Sequence, residues 1–448
     1  MLKCWRGLSS SRRRVDLVLS SGLAIYFVYQ ISRFHLANLW PLRPQADAMA
    51  MFELSRRVWD QGYLPVEAFR PGILNFIFPS PPSAVLIFKA LSVAGPATFA
   101  LVWLSLMAAG LVLTLRLCLV GDRLEYQFSW LVIGAVALLV TDGPIMWDLR
   151  NWNCNLIYLG LVLTAYATSS RRPVLAGILV ALSTSLRLYS FLLIMWLFIR
   201  GPRRAFVAAG AALAVLWLIW PVLAFGPAGA RLIYSGWFDQ LKVVSGSWGY
   251  SMPLNPARPP LVTLRGSLSA LTRIDPFGRE TQILIRVMWS VWFAALAWYF
   301  SRALKTPAGA PSRAALADWT VLLLAPLPIS PWLEPYHAVP LVPAVMVCIL
   351  VTIDDQVLKR DRLIAFLMLA VLLVERINRV PRPLEGFDLF GRLLELIVVL
   401  AWLRPRLQSL SALESAGSKP SWSPREGLSI ASQRGTEPLA ETAPLRLG

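Results

Sequence analysis

The chain is predicted to be an all-α polytopic membrane protein, a bundle of about 11 to 13 transmembrane or re-entrant helices with an amphipathic helix on its outer face. Three observations predict it. Of the 448 residues, 56% are hydrophobic and 15% charged, whereas an ordinary soluble domain carries roughly 25% charge. Apolar runs of about 17 to 25 residues recur from Val15 almost to Trp402, and each is long enough to cross a hydrocarbon core of ~30 Å as a helix. These runs are continuous, whereas a strand of an outer-membrane barrel alternates apolar and polar residues over ~10 positions.

Met1 to Arg14 carries Lys3, Arg6, Arg12, Arg13 and Arg14 ahead of the apolar run Val15 to Ile31. Bulky residues from Tyr29 to Phe34 stand where a signal peptide has small cleavage-site residues. The run therefore reads as an uncleaved first span with residues 1–14 in the cytoplasm. His35 to Pro82 then lies outside. Within it, Ala48, Met51, Leu54 and Val58 recur at helical spacing opposite Glu53, Arg56 and Asp60, the pattern of a helix lying on the membrane surface. Further spans are expected at 96–118, 127–141, 155–168, 205–225, 283–300, 319–333, 337–353, 362–375 and 388–403. Residues 15–403 thus form one membrane domain. Beyond Trp402 the composition turns to Ser, Pro, Glu, Arg and Gly, so residues 404–448 are expected to be a disordered cytoplasmic tail.

A formal charge of +18 would raise nucleic acid as a partner of a soluble protein. Here no DNA- or RNA-binding motif is present, and the basic residues sit in short loops. Arg171-Arg172, Arg200 to Arg204, Arg302 to Arg313, Lys359 to Arg362 and Arg404 to Arg406 all fall inside if the N-terminus is inside. Arg376, Arg379 and Arg382 land outside and are the exception. The expected location is the cytoplasmic membrane of a bacterium, with membrane lipids and not nucleic acid as partners. Cys4, Cys118, Cys154 and Cys348 fall at different depths without ligand spacing, so neither a disulfide nor a metal site is expected.

The apolar stretch between Arg172 and Arg200 is too short for two full spans, yet inside-type charge flanks it at both ends. A helical hairpin solves this, broken at Ser183-Thr184-Ser185, with Arg187 near its tip. An arginine at membrane depth is costly enough to be read as functional unless it snorkels to the interface.

Three groups converge on the outer face, each with a functional and a structural reading. Asp47 is either a reactive carboxylate or a first-turn charge meeting a helix dipole. Asn151, Asn153 and Asn155, with Arg187 nearby, either hold a ligand or cap the following span. His337 is one of two histidines. With Glu334 it belongs either to a site or to an interfacial belt anchored by Trp332 and Tyr336. The loop Gly226 to Gln282 carries Arg231, Lys242, Arg258, Arg265, Arg273 and Arg279 against three acids, a basic excess that suits a phosphate and equally suits lipid head groups.

Five motifs run in order along the chain. Asp47 stands in Gln45-Ala46-Asp47-Ala48-Met49, and the aromatic-proline run Phe76-Ile77-Phe78-Pro79-Ser80-Pro81-Pro82 follows. Trp152-Asn153-Cys154-Asn155 opens a span, Ala176-Gly177 precedes Arg187-Leu188-Tyr189, and Ser330-Pro331-Trp332 leads to His337. From about Asp47 to Pro343 this order resembles glycosyltransferase family 87, the polyprenol-phosphate-mannose-dependent mannosyltransferases of the GT-C superfamily. The chain departs from the family pattern where Asn153 replaces glutamine, where Arg187 replaces lysine, and in the longer spacing before His337.

The resemblance implies a GT-C-like bundle that moves a sugar, a hexose such as mannose, from a polyprenyl phosphate donor to a lipid or glycan hydroxyl outside the membrane, with inversion and without metal or cofactor. It implies Asp47 and His337 as catalytic residues, the first as general base and the second orienting the acceptor or the phosphate, and Arg187, Arg258 and Arg265 on the donor phosphate. Asn153, Asn155, Tyr189, Trp332 and Glu334 would contact substrate. The rival class is a flippase or transporter of lipid-linked sugars, which needs a polar route to the cytoplasm. Apart from Arg187, few ionisable residues fall in the inner halves of the spans, which favours surface chemistry. A purely structural scaffold is the third reading.

Overall fold

The computed structural model describes residues 81–91, 93, 95–120, 130–247, 267–268, 271, 279–303, 311–328, 335–377 and 385–417, with positions 18, 21, 25, 29, 49, 51–53 and 55–57. Among these residues there is no strand. The helices are α1 (Pro82–Leu91), α2 (Pro96–Leu117), α3 (Trp130–Asn151), α4 (Asn155–Thr168), α5 (Pro173–Leu186), α6 (Phe191–Ile199) and α7 (Arg203–Ala214). A π turn at Val215–Ile219 carries α7 into α8 (Trp220–Ser247), which kinks at Gly226 where the backbone turns to φ +70, and α9 (Arg279–Ala303), α10 (Arg313–Leu324), α11 (Leu341–Ile353), α12 (Lys359–Ile377) and α13 (Glu385–Gly417) follow. Local chemistry marks several starts. Pro96 and Pro173 occupy first turns, where a missing N–H costs nothing, and Ser312 Oγ accepts from Ala315 N at 3.3 Å to cap α10.

Three helical stretches among the described residues are long and apolar enough to cross a membrane: Pro96–Leu117, Arg203–Asp239 and Arg279–Ala303. Leu101, Phe198, Val207 and Leu223 are more than half exposed, a belt that lipid suits and water does not. Among the described residues helix length does not by itself give a count of spans, because α4 and α5 have 14 residues each and α10 and α11 have 12 and 13. Short helices suffice at the centre. Every residue of α11 from Leu341 to Val351 is buried, so its neighbours and not lipid surround it.

Close contacts fix the relative directions of the helices. Gly177 near the start of α5 lies against Ala205 and Ala209 of α7, and Ser185 Oγ near its end accepts from Trp217 Nε1 at 2.9 Å. Helices α5 and α7 therefore run the same way, so the chain must turn back through α6, and the expected hairpin is present. Its break falls at Arg187, one residue past α5. Ser183 and Thr184 do not break the helix, because both hydroxyls donate to Val180 O at 2.8 Å and stay in the last turn. Likewise Trp103 Nε1 donates to Trp152 O at 2.8 Å and Gly110 meets Leu156 and Gly160, so α2 and α4 run together.

The basic clusters collect at one end of the bundle. There Arg404 pairs with Asp318 at 2.6 Å, Arg313 with Asp354 at 2.5 Å and Arg406 with Asp361 at 2.9 Å. Arg200 and Arg404 both donate to Ala303 O, at 2.8 and 3.1 Å. This corrects the expected start of the tail. Arg404 is buried, α13 continues to Gly417, and Leu403 and Leu407 pack into the core, because Asp318 and Asp361 offer these arginines buried partners. Residues 418–448 lie outside the described residues. The proposed surface helix is helical at its described positions, with Met51 buried and Glu53 and Arg56 exposed as its pattern requires. Its apolar side meets protein: the Phe52 ring lies 5.0 Å from that of Phe99 in α2.

A Cβ on Gly177 would sit 2.1 Å from Ala205 O and 2.9 Å from Ala209 N, both backbone atoms. Gly177→Ala must push α5 from α7 and should destabilise the protein by about 1–3 kcal/mol. Gly210→Ala in α7, with nothing within 4 Å of a Cβ, should be neutral or slightly stabilising. Thermal midpoints of the two purified variants check the difference.

Candidate active site

At the end of the bundle away from these arginines, polar side chains from four elements meet. The chain leaves α3 at Asn151 and starts α4 at Asn155, and the link is tight enough to hold Trp152 at φ +53. A bulky residue in the left-handed region stores strain of about 1–3 kcal/mol, a feature that clusters at functional sites. The Trp103 bond to Trp152 O helps to hold it there.

Asp148, one turn before the end of α3, is fully buried. Its Oδ1 accepts from Asn155 Nδ2 at 2.7 Å, and its Oδ2 accepts from Leu156 N at 3.0 Å. It therefore supplies the N-terminal cap of α4 from outside the helix, and neither Asn153 nor Asn155 caps it by side chain in the usual way. Asn153 Oδ1 instead accepts from Cys154 N at 2.8 Å and from the Arg187 guanidinium. Asn151 faces back, donating to Trp147 O at 3.0 Å.

Arg187 follows α5 in extended backbone, φ −144 and ψ 122, and its side chain is 8% exposed. The extended residue turns the guanidinium toward Asn153, where Asp148 also attracts it. One 3₁₀ turn later the Tyr189 ring meets the His337 imidazole edge-on, at 5.8 Å between centroids. His337 comes from the turn Pro335–Ala338, which precedes α11 and packs on α3. Burial, and then the nearby Arg187 cation, hold its imidazole well below its usual pKa, so it is neutral.

The structure thus brings together Asn153, Asn155, Arg187, Tyr189 and His337 from separate parts of the sequence. Asp47, Arg258, Arg265, Trp332 and Glu334 lie outside the described residues. Asp148 was not among the residues the sequence singled out, although an acidic side chain in an apolar helix seven positions before Asn155 was a usable signal. Among the described residues no group of three His, Cys, Asp or Glu side chains is placed to hold a metal ion. Chemically, the cluster offers a fixed guanidinium for an anion, a neutral imidazole and amide groups for hydroxyls, all shielded from bulk water.

A family model described as glycosyltransferase family 87 matches residues 78–331, more than half of the chain. The match includes Asp148, Asn153, Asn155, Arg187 and Tyr189 but stops short of Asp47 and His337. No curated protein and no solved structure matches the chain.

A histidine whose folded pKa is depressed binds fewer protons folded than unfolded between the two pKa values, so its contribution to stability is lost as pH falls. The thermal midpoint should therefore drop between pH 7 and pH 5, and drop less in His337→Gln. An equal decline in the two proteins would show that His337 is not held neutral.

Proposed function

The chain belongs to glycosyltransferase family 87 and is a membrane glycosyltransferase. From that premise we propose that it transfers a hexose such as mannose from a polyprenyl phosphate to a lipid or glycan hydroxyl on the outer face of the cytoplasmic membrane. The observation that carries this reading is the buried Arg187 guanidinium, set between Asn153 and Asp148 at the end of the bundle opposite the basic clusters. Basic clusters favour the cytoplasmic side, so the opposite end faces out.

The donor's polyprenyl chain lies in lipid and its phosphate reaches Arg187. The acceptor hydroxyl attacks the anomeric carbon from the face opposite the phosphate, the bond from that carbon to the phosphate oxygen breaks, and configuration inverts. The electron pair leaves with the phosphate, where the guanidinium stabilises it by charge-assisted hydrogen bonds. The hydroxyl proton passes to the Asp47 carboxylate, general-base help worth typically about 10² to 10⁴. Neutral His337, against Tyr189, orients the acceptor or the phosphate by hydrogen bonding and not by charge. Arg258 and Arg265 add positive charge for the donor phosphate, and Trp332 and Glu334 meet the substrate. The route uses no metal and no cofactor.

Purified protein given radiolabelled polyprenyl phosphate hexoses and a membrane lipid extract should move label to an acceptor. Arg187→Ala should weaken donor binding and turnover, by about tenfold or more for loss of a charged hydrogen-bonding partner. Arg187→Lys should keep part of both, since charge survives while the planar fork is lost. Parental binding and turnover in both variants would reduce Arg187 to an anchor. Asn serves as a helix cap as well as Asp but cannot accept a proton, so in Asp47→Asn transfer should fall by about 10² or more at unchanged donor affinity. An Asn variant as fast as the parent would remove Asp47 from the mechanism.

A further inference from the structure

We propose that Asp148 is a positioning residue that fixes the Asn155 amide so that Asn155 Oδ1 accepts a hydrogen bond from a hydroxyl of the donor sugar. This rests on the donor reading above. The orientation follows from the Asp148 carboxylate, whose two oxygens take Asn155 Nδ2 at 2.7 Å and Leu156 N at 3.0 Å. With both carboxylate oxygens engaged as acceptors, a flipped Asn155 would set oxygen against oxygen. The amide therefore has one orientation, and Oδ1 is directed away from Asp148.

That oxygen is buried and has no donor among the described residues. So is the hydroxyl of Tyr158, three positions along the same helix and hence on the same face. The Tyr158 hydroxyl lies within electrostatic reach of both Arg187 and Asp148. Buried polar atoms are nearly always paired, because an unmet one forfeits its hydration for nothing. Among the described residues, an unmet acceptor and an unmet hydroxyl on one face of α4, the hydroxyl within electrostatic reach of the guanidinium assigned to the donor phosphate, suit a ligand that has hydroxyls close to a phosphate. A glycosyl phosphate has that form.

The test reads polarity, which a purely structural role would leave unchanged. Full-length protein is assayed with the polyprenyl phosphate hexose it uses best and with analogues in which single sugar hydroxyls are replaced by fluorine, which accepts but cannot donate. In the parent, fluorine at one position should lower kcat/KM by about ten- to a hundredfold beyond its intrinsic electronic effect. Asp148→Asn keeps an acceptor for Leu156 N but turns an N–H toward Asn155. The Asn155 amide then inverts and presents a donor, so the fluoro-to-hydroxy ratio at that position should rise toward or above one. Asn155→Ser, which needs no inversion to fold, should also shrink the penalty by shortening the acceptor out of reach. If the parent transfers sugar but every ratio stays parental in both variants, Asp148 and Asn155 form only a helix cap and the inference fails. If the parent transfers from no polyprenyl phosphate hexose, the donor reading itself falls and takes this inference with it.

Discussion

The hydrogen bond from the buried Arg187 guanidinium to Asn153 Oδ1 is the constraint around which this end of the molecule is arranged. A permanent cation removed from water needs an acceptor and a nearby anion, or the fold does not tolerate it. Meeting that need stops α5 at Leu186 and puts one residue into extended backbone. It also ties the hairpin to the link between α3 and α4, where Trp152 is held at positive φ. Tyr189 then arrives beside His337 as a consequence of where the hairpin turns.

Asn153 and Arg187 touch each other here. The guanidinium keeps the fixed charge that the proposed leaving group needs, with a planar arrangement of donors in place of a point charge.

The opposite end uses the same chemistry for a different purpose. Asp318 there accepts from Tyr299 and Arg404, and Ala303 O accepts from Arg200 and Arg404, so α6, α9, α10 and α13 are joined by buried polar bonds. Removing one partner would strand a buried charge, a loss of about 3–5 kcal/mol. Between the two ends the packing is apolar and, at Gly110, Gly160 and Gly177, close enough that no Cβ fits. A base stapled by ion pairs and a tightly packed middle give the candidate site a rigid support, which preorganised electrostatic catalysis requires.

The helical, membrane-embedded character was legible in the sequence because lipid tolerates only long apolar helices with few charges, and that demand is written into composition. The hairpin between Arg172 and Arg200 was legible for the same reason, since its length and flanking charge left one solution. Arg187, Asn155 and His337 stood out as polar residues in apolar surroundings. Their contacts did not, because which Asn meets Arg187 depends on how α3, α4 and α5 pack, and packing direction is set by side-chain shape across helices distant in sequence. Asp148 was not legible because the expected span stops at 141, whereas α3 runs through Pro144 to Asn151. The burial of Arg404 was not legible because charge reads as solvation when its partner is unknown. Asp318, 86 positions away, becomes that partner only when the helices assemble. Composition and charge spacing dictate the solvent in which this protein folds and the polar residues it must accommodate. Which of them meet is settled only when the helices assemble, since burial makes each of these groups depend on a partner that local sequence does not specify.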